Sequence, residues 1–533
     1  MEVSCIPFRK TGYFSELICD YLEEKDSLKT YYNRFSNLKE FKDQISEKQA
    51  NFPLATRKVL HSALNAQYKE IDASKKVKQN INFLQEDNTF TVVTGHQLNL
   101  FTGPLYFLYK IISTINLTSA LKREYPDFNF VPVYWMATED HDFEEINFFN
   151  FKGKKIQWNT SSDGAVGHLS TDGLEAVLET FSKELGKSTN ADKLKELFRK
   201  AYIDNANLTQ ATRFLADALF GEYGLVIIDG DDSGLKELLA PYAKQELLEH
   251  VSFHRVEETI SELQQLPDNY GIQVNPREIN YFYLTKGVRE RIVQKGKDYF
   301  VLNTELVFTR DEIVRELDAH PERFSPNVIT RPLYQEVILP NLCYIGGGGE
   351  LAYWLELKSS FEAVNVTFPI LLLRNSALVI TEKQYDKLGK LNLTPEDLFL
   401  RQNTLINKKI REISNIDIDF SSQKKHLEAQ FEGLYKIAKA TDKSFLGAVK
   451  AQEIKQKKGL DHLEKRLLKA QKRKLKDQVI RMTEIQNELF PNQALQERYL
   501  NFSELYLEYG EELIPSLMKS LLPLQTEFFV LKY

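Results

Sequence analysis

The sequence predicts an α/β protein: an open parallel sheet, interrupted by two insertions and followed by a helical coiled coil. Three observations predict it. Residues 94–147 read as strand, turn, long apolar helix and strand, with polar clusters at the carboxyl ends of both strands. Further short apolar runs at 225–228, 342–345 and 369–373 supply the remaining buried strands. Beyond residue 382 the chain turns lysine-rich, with apolar residues recurring in steps of three and four.

Residues 1–88 read as mainly helical, from Phe14, Leu17, Ile18, Tyr21 and Leu22 at helical spacing. Residues 90–93 form a buried strand. Gly95 and Gly103 bracket the turn after it, and Pro104 suits a helix's first turn. Leu108, Ile111, Ile112, Ile115 and Leu117 carry that helix to the strand at 130–136. The expected organisation is a core at 1–150 and a first insertion at 151–205. The core returns at 206–235, and a second insertion follows at 236–324. The core closes at 325–381, followed by a coiled coil at 382–492 and a tail at 493–533 that docks on the body. Leu460, Leu463, Leu467, Leu475, Val479, Met482, Ile485 and Leu489 form the predicted seam. A helix through Leu427, Phe431, Leu434 and Ala438 is its antiparallel partner.

Bulk properties narrow the function. At 533 residues the chain exceeds one core. Lys and Arg number 69 against 75 Asp and Glu, and this net charge of −6 argues against broad nucleic-acid binding. No apolar run is long enough to span a membrane, and the amino terminus lacks signal-peptide character. Three scattered cysteines, Cys5, Cys19 and Cys343, form no disulfide framework, which fits a cytoplasmic protein.

The reactive side chains cluster at strand ends. Thr94, Gly95, His96, Gln97 and Asn99 stand where a strand hands over to a helix, a place suited to an anion. Glu139, Asp140, His141, Asp142 and Glu145 surround one imidazole with carboxylates, a group able to act as base or to hold a divalent cation. Nothing in the local spacing supplies further metal ligands, so no metal residue is assigned and the need for one stays open. Gly346, Gly347 and Gly348, with Gly349, form a glycine turn before a helix opening at Glu350, read either as an anion cradle or as a plain tight turn. Asn327, Arg331 and Gln335 recur at four-residue spacing and can point an Arg and two amides one way. The basic face at 465–476 reads as solvated.

Four stretches resemble the BshC family, the cysteine-adding enzymes of bacillithiol biosynthesis: TGHQLNLFTGPLYFLYKIIST at 94–114, VPVYWMATEDHDFEEIN at 131–147, SPNVITRPLYQEVILPNLCYIGGGGELAYW at 325–354 and LFPNQALQERYLN at 489–501. The resemblance implies a Rossmann-type core with two connective insertions and a coiled coil that holds a homodimer. It implies ligation of L-cysteine to glucosaminyl malate, the last step toward bacillithiol. It also implies a core similar to class I aminoacyl-tRNA synthetases, and hence ATP as the expected cofactor, although no KMSKS-like loop occurs. Under this reading His96 stabilises the activated carboxyl, and His141, oriented by Glu139 or Asp142, accepts the amine proton. Arg331 meets the malate carboxylates. Thr94, Gln97, Asn99, Asp140, Glu145, Asn327, Gln335 and Glu350 complete the substrate site. Family members often carry Gly-Gly-Pro-Gly where this chain has residues 346–349. The alternative is a dimeric scaffold or RNA-binding relative of those synthetases with a degenerate core.

Overall fold

The computed structural model describes residues 2–533. The chain divides into two compact units. One runs to Leu378 and takes in Gln496–Leu531; the other holds Val379–Leu495 with the last two residues.

The first unit is built on five parallel strands: β1 (Thr89–His96), β2 (Asn129–Met136), β3 (Val226–Asp229), β4 (Asn341–Gly346) and β5 (Ile370–Leu373). Their spatial order is β5-β4-β1-β2-β3. β1 is central because it is flanked by the next strand in sequence on one side and by the fourth on the other. The order therefore reverses between β1 and β4, and the crevice beyond their carboxyl ends is where open α/β sheets bind ligands. β1 and β2 pair in register from Thr89↔Asn129 to His96↔Met136, which sets both polar clusters at one level. The strands read as continuous apolar runs because helices cover both faces. Phe90, Val92, Leu342, Ile345, Ile370 and Leu372 pack with Leu117 and Leu121 of helix α1 (Tyr106–Glu124).

The turn between β1 and α1 is strained and strongly held. Phe101 and Thr102 adopt positive φ without being glycine. Gly103 is also at positive φ, and a Cβ there would lie 2.6 Å from Asn99 Cβ, so only glycine fits. The Asn501 amide donates to the Phe101 and Gly103 carbonyls at 2.7 Å each, and the Phe101 ring sits among Phe149, Phe181, Phe198 and Phe502.

Between β2 and β3 lie a hairpin (Phe148–Phe151, Lys154–Gln157) and helices Leu174–Leu185, Thr189–Tyr202 and Leu208–Phe220. Between β3 and β4 come helices Ser233–Glu249 and Val251–Gln265, then an antiparallel sheet of Tyr281–Thr285, Val288–Lys295, Asp298–Val301, Val307–Thr309 and Phe324–Pro326.

The second unit is helical. Ser421–Thr441 packs back on Lys443–Lys474 through Leu427, Phe431, Tyr435, Ala438, Leu446 and Val449. The expected seam is not continuous within one chain. Met482, Ile485 and Leu489 are buried, but Leu434 is 41% and Leu463 52% exposed. The long helix also breaks at Leu475 before resuming at Lys476–Leu489. Among the described residues no helix is long and apolar enough to cross a membrane.

Candidate active site

A cavity of about 770 Å³ opens at the carboxyl ends of β1, β2 and β4. Seven basic side chains line it: Lys110, Arg277, Arg289, Arg291, Arg331, Arg374 and Arg498. Three carboxylates face them, those of Glu139, Asp140 and Glu350. Such an excess of fixed positive charge in a walled cleft selects for an anionic ligand.

β1 ends in Gly95 and His96, both on the cavity wall. The Gly95 carbonyl accepts from Lys110 Nζ at 2.7 Å. His96 is wedged between Tyr106 and Phe107, with ring centroids at 5.5 and 5.1 Å. Burial, reinforced by the Lys110 charge, pushes its pKa down to about 3. His96 is thus a neutral imidazole, and its buried Nε2 has no partner within the protein. A neutral ring with a free nitrogen can hydrogen-bond a ligand at the end of β1.

Thr94 does not reach the cavity. Its hydroxyl donates to the Ile345 carbonyl at 2.7 Å and ties β1 to β4. The Gln97 amide donates to Asp140 and Glu145, 2.9 Å each, so this Gln organises the acidic loop from across the crevice. Asn99 donates to the Glu145 carbonyl and lies outside the main cavity. Glu145 is exposed and also off the cavity wall.

The acidic cluster divides its roles differently from the expectation. Glu139 is buried and pairs with Lys236 Nζ at 2.6 Å, so it faces away from orienting His141. Asp142 is exposed and does not line the cavity. His141 is oriented by Arg289, whose Nη1 donates to Nδ1 at 2.7 Å. That contact leaves the ring hydrogen on Nε2, so His141 in this arrangement donates rather than accepts. A base role for His141 requires this contact to break. Arg289 stacks on Phe282 at 4.0 Å and arrives from the inserted sheet.

On the β4 side, Glu350 folds back onto the glycine turn. Its carboxylate accepts from the Gly347 amide at 2.8 Å, Tyr344 OH at 2.9 Å and Lys110 Nζ at 2.7 Å. Burial alone would raise its pKa, but the Lys110 charge and these hydrogen bonds hold it below the usual range. The chain's own carboxylate therefore fills the expected anion cradle. Gly347 and Gly349 line the cavity; Gly346 and Gly348 do not. A Cβ at Gly346 would lie 3.0 Å from both Glu350 Cβ and the Tyr344 ring, so that glycine serves close packing, whereas at Gly348 a Cβ would make only ordinary contact with Phe14 and Ile18.

Arg331 opens the helix Arg331–Ile338 and lies over Trp135 and Tyr344, each 5.7 Å from the ring centroid. Gln335 accepts from it at 3.2 Å but is itself fully buried. Asn327 lines the cavity while its side chain caps the Ile329 and Thr330 amides. Among the described residues, Arg277, Arg291, Arg331 and Arg498 have no carboxylate within ion-pair distance, whereas Arg374 is bound to Glu497 at 2.7 Å.

The sequence reading passed over Lys110, Arg289, Arg374, Arg498 and Lys236. Two had a signal. Lys110 is the only charged residue between His96 and Lys122, and Arg374 the only one between Glu362 and Glu382. A lone charge in an apolar stretch is costly unless it has a task. Among the described residues, no cluster of three or more His, Cys, Asp or Glu side chains is arranged to hold a metal ion.

A doubly flanked parallel sheet, with a cation-rich cleft at its topological switch point, defines an α/β protein whose cavity suits a small anionic molecule. The chain belongs to the BshC family. The family model for the bacillithiol biosynthesis BshC N-terminal Rossmann-like domain matches residues 1–375, and that for the BshC C-terminal coiled-coil domain matches residues 377–533. Relatives carrying the name "Putative cysteine ligase BshC" match end to end. That of Christiangramia forsetii is 59% identical over 100% of this chain and 99% of its own. That of Flavobacterium johnsoniae is 59% identical over 100% of both. That of Cytophaga hutchinsonii is 39% identical over 98% and 97%. A solved structure carrying the name "putative arginyl t-RNA synthetase" from Campylobacter jejuni covers 84% of this chain and 98% of its own, with 9% identity and a TM-score of 0.20; it decides nothing about a synthetase likeness.

Proposed function

We propose that this protein is a ligase joining the carboxyl of L-cysteine to the amine of glucosaminyl malate, forming the amide of bacillithiol in the cytoplasm. The observation that carries the reading is the positively charged switch-point cavity in a chain that matches the cysteine-ligase relatives over its whole length. Malate brings two carboxylates. Arg331 lacks a carboxylate of its own and offers them a planar fork of donors.

The reaction needs an activated carboxyl, and ATP is the proposed activator. The cysteine carboxylate oxygen bonds to a phosphorus of ATP while the bridging phosphorus–oxygen bond breaks and the rest of the nucleotide's phosphate chain leaves with the electron pair, giving a mixed anhydride. The sugar amine then bonds to the acyl carbon while the carbon–oxygen bond to phosphate breaks. Arg277, Arg291 and Arg498 at the cavity wall supply charge for the phosphates. Neutral His96, with an unpaired Nε2, sits at the β1 end to hydrogen-bond the reacting carboxyl. The exposed apolar positions Leu434, Ile437 and Leu463 fit a homodimer formed through the helical hairpin. The scaffold or RNA-binding alternative gains nothing from a cavity that keeps this full set of charged groups.

The test is deletion of the gene in its host, with low-molecular-weight thiols quantified by mass spectrometry. Loss of bacillithiol with build-up of glucosaminyl malate is expected. Normal bacillithiol in a strain with no second enzyme for the step would overturn the reading.

A further inference from the structure

A second cavity, of about 840 Å³, lies on the other side of the Glu139 carboxylate and is lined by His168, Ser170, Asp231, Thr285, Lys286 and Arg323. A chain of charged groups joins the two cavities. Glu139, on the wall of the first, pairs with Lys236 at 2.6 Å. Lys236 has no side-chain exposure, and its ammonium donates to Asp231 at 2.9 Å and to the Glu322 carbonyl at 2.8 Å. These two acceptors, with the Glu139 carboxylate at ion-pair distance, favour the ammonium ion. Asp231 in turn holds His168 Nε2 at 2.7 Å, and the His168 side chain is 58% exposed to the second cavity.

We propose that Glu139 takes the proton from the attacking amine, and that Lys236, Asp231 and His168 are positioning residues that set the charge on that carboxylate from the second cavity. The inference rests on the ligase reading above. His141 is a weak candidate for base because Arg289 occupies its Nδ1 and Nε2 carries the hydrogen. Glu139 lies on the same wall, and among the described residues Lys236 is its only ion-pair partner.

The groups facing Glu139 pull in opposite directions. Burial raises its pKa, Lys236 lowers it, Asp231 raises it and Arg289 lowers it; the net effect is upward, toward the range a general base needs. Tyr281 and Tyr334, the other titratable groups nearby, are buried phenols held protonated. At the far end the Asp231 hydrogen bond raises the His168 pKa, against burial, and the carboxylate of Asp229 adds to it. A protonated His168 neutralises Asp231 and leaves more of the Lys236 charge for Glu139. In the step itself the amine nitrogen bonds to the acyl carbon and the phosphate oxygen leaves with its electron pair. One amine proton passes to Glu139, which returns it to water. The co-reactant is the nucleoside triphosphate that activated the acyl group.

Two measurements on the full chain test this. The first is the His168 titration, followed by NMR of carbon-labelled histidine and assigned with H168Q. Glu139→Gln frees Lys236 to bind Asp231 more tightly, so His168 should lose roughly 0.3 pH unit or more from its midpoint. An unchanged midpoint in folded E139Q overturns the chain. The second is bacillithiol in deletion cells carrying E139Q or the wild-type gene. A loss of at least about 100-fold is expected at equal protein level, and a loss under about threefold overturns the base. If the wild-type gene itself restores no bacillithiol, the ligase reading fails, while the titration still reads the chain.

Discussion

Lys48→Met should destabilise the first unit and loosen Arg331, although Lys48 lies far from Arg331 in sequence. Lys48 (2% exposed) pairs with Glu336 (fully buried side chain) at 2.9 Å, joining the helix Glu40–Asn51 to the helix that carries Arg331. Glu336 also accepts from Gln335 Nε2 at 2.9 Å and Asn341 Nδ2 at 2.6 Å. Because the Gln335 amide nitrogen faces Glu336, its oxygen faces Arg331. Removing one member of a buried pair costs about 3–5 kcal/mol; with two amide donors still on Glu336, the low end applies. The first unit holds about 400 residues. At ~2.1 cal/mol/K per residue its unfolding entropy is about 0.9 kcal/mol/K, so 3 kcal/mol corresponds to a fall of about 3–4 °C in Tm. Calorimetry of the full chain reads this directly. The double variant K48M/E336Q removes the stranded charge but keeps an oxygen for both amides, and should recover at least half of the loss. A fall below about 1 °C for K48M, or a double variant no more stable than K48M, refutes the reasoning.

Arg331→Lys keeps the charge but loses the planar fork, so the KM for glucosaminyl malate should rise about 10-fold or more with the fold intact; an unchanged KM removes Arg331 from the malate site. Glu356 is fully buried and accepts the Gln273 and Val274 amides of a cavity-lining loop, and burial pushes its pKa up to about 7. The folded state thus holds this proton more tightly than the unfolded chain does. Stability falls as pH rises from about 4.5 to about 7, by about 3 kcal/mol in all. Glu356→Gln should therefore gain Tm relative to wild type at pH 8 compared with pH 4.5, and an equal difference at both pH values counts against it. Ile437 and Leu463 are 58% and 52% exposed. Under the dimer proposal, the double variant I437E/L463E should sediment as a monomer, whereas a persistent dimer would locate the interface elsewhere.

The sheet was legible because each of its strands is a short, largely apolar run that ends in or soon gives way to polar or glycine residues, as Thr89–His96 and Asn129–Met136 do. The place of the site followed from the same ends. Side-chain direction was not legible. Thr94 is adjacent to Gly95 and His96, yet it points into the sheet because strand residues alternate faces. Glu139 was read as a partner for His141 from adjacency alone, but Lys236, nearly a hundred residues on, reaches it through the second insertion. Arg289 is harder still. It stands in an exposed-looking strand of alternating charge, and only the docking of that inserted sheet brings it to His141. Such contacts depend on long-range packing, which periodicity does not encode. The seam of the second unit shows the same limit: spacing identified the apolar stripe, but it could not say which of its residues the chain itself buries, and Met482 and Ile485 are buried while Leu463 is not.

The charges of the cavity follow an order that bears on chemistry. Glu350 is held by Lys110, Glu139 by Lys236 and Glu497 by Arg374, so the buried carboxylates near the crevice each have their own cation. Unpaired buried charge would be too costly to keep. Arg277, Arg289, Arg291, Arg331 and Arg498 are left over, with no carboxylate at ion-pair distance among the described residues. All five come from outside the sheet and its first helix: three from the second insertion, one from the helix Arg331–Ile338 and one from the returning chain near Asn501. The sheet end fixes neutral His96 and the paired carboxylates in a floor, and the added segments supply positive charge over it. A substrate pair of one dicarboxylate sugar conjugate and one phosphate-activated acid would satisfy those cations without disturbing the floor. In this chain, then, the fold supplies the frame and the added segments supply the charge.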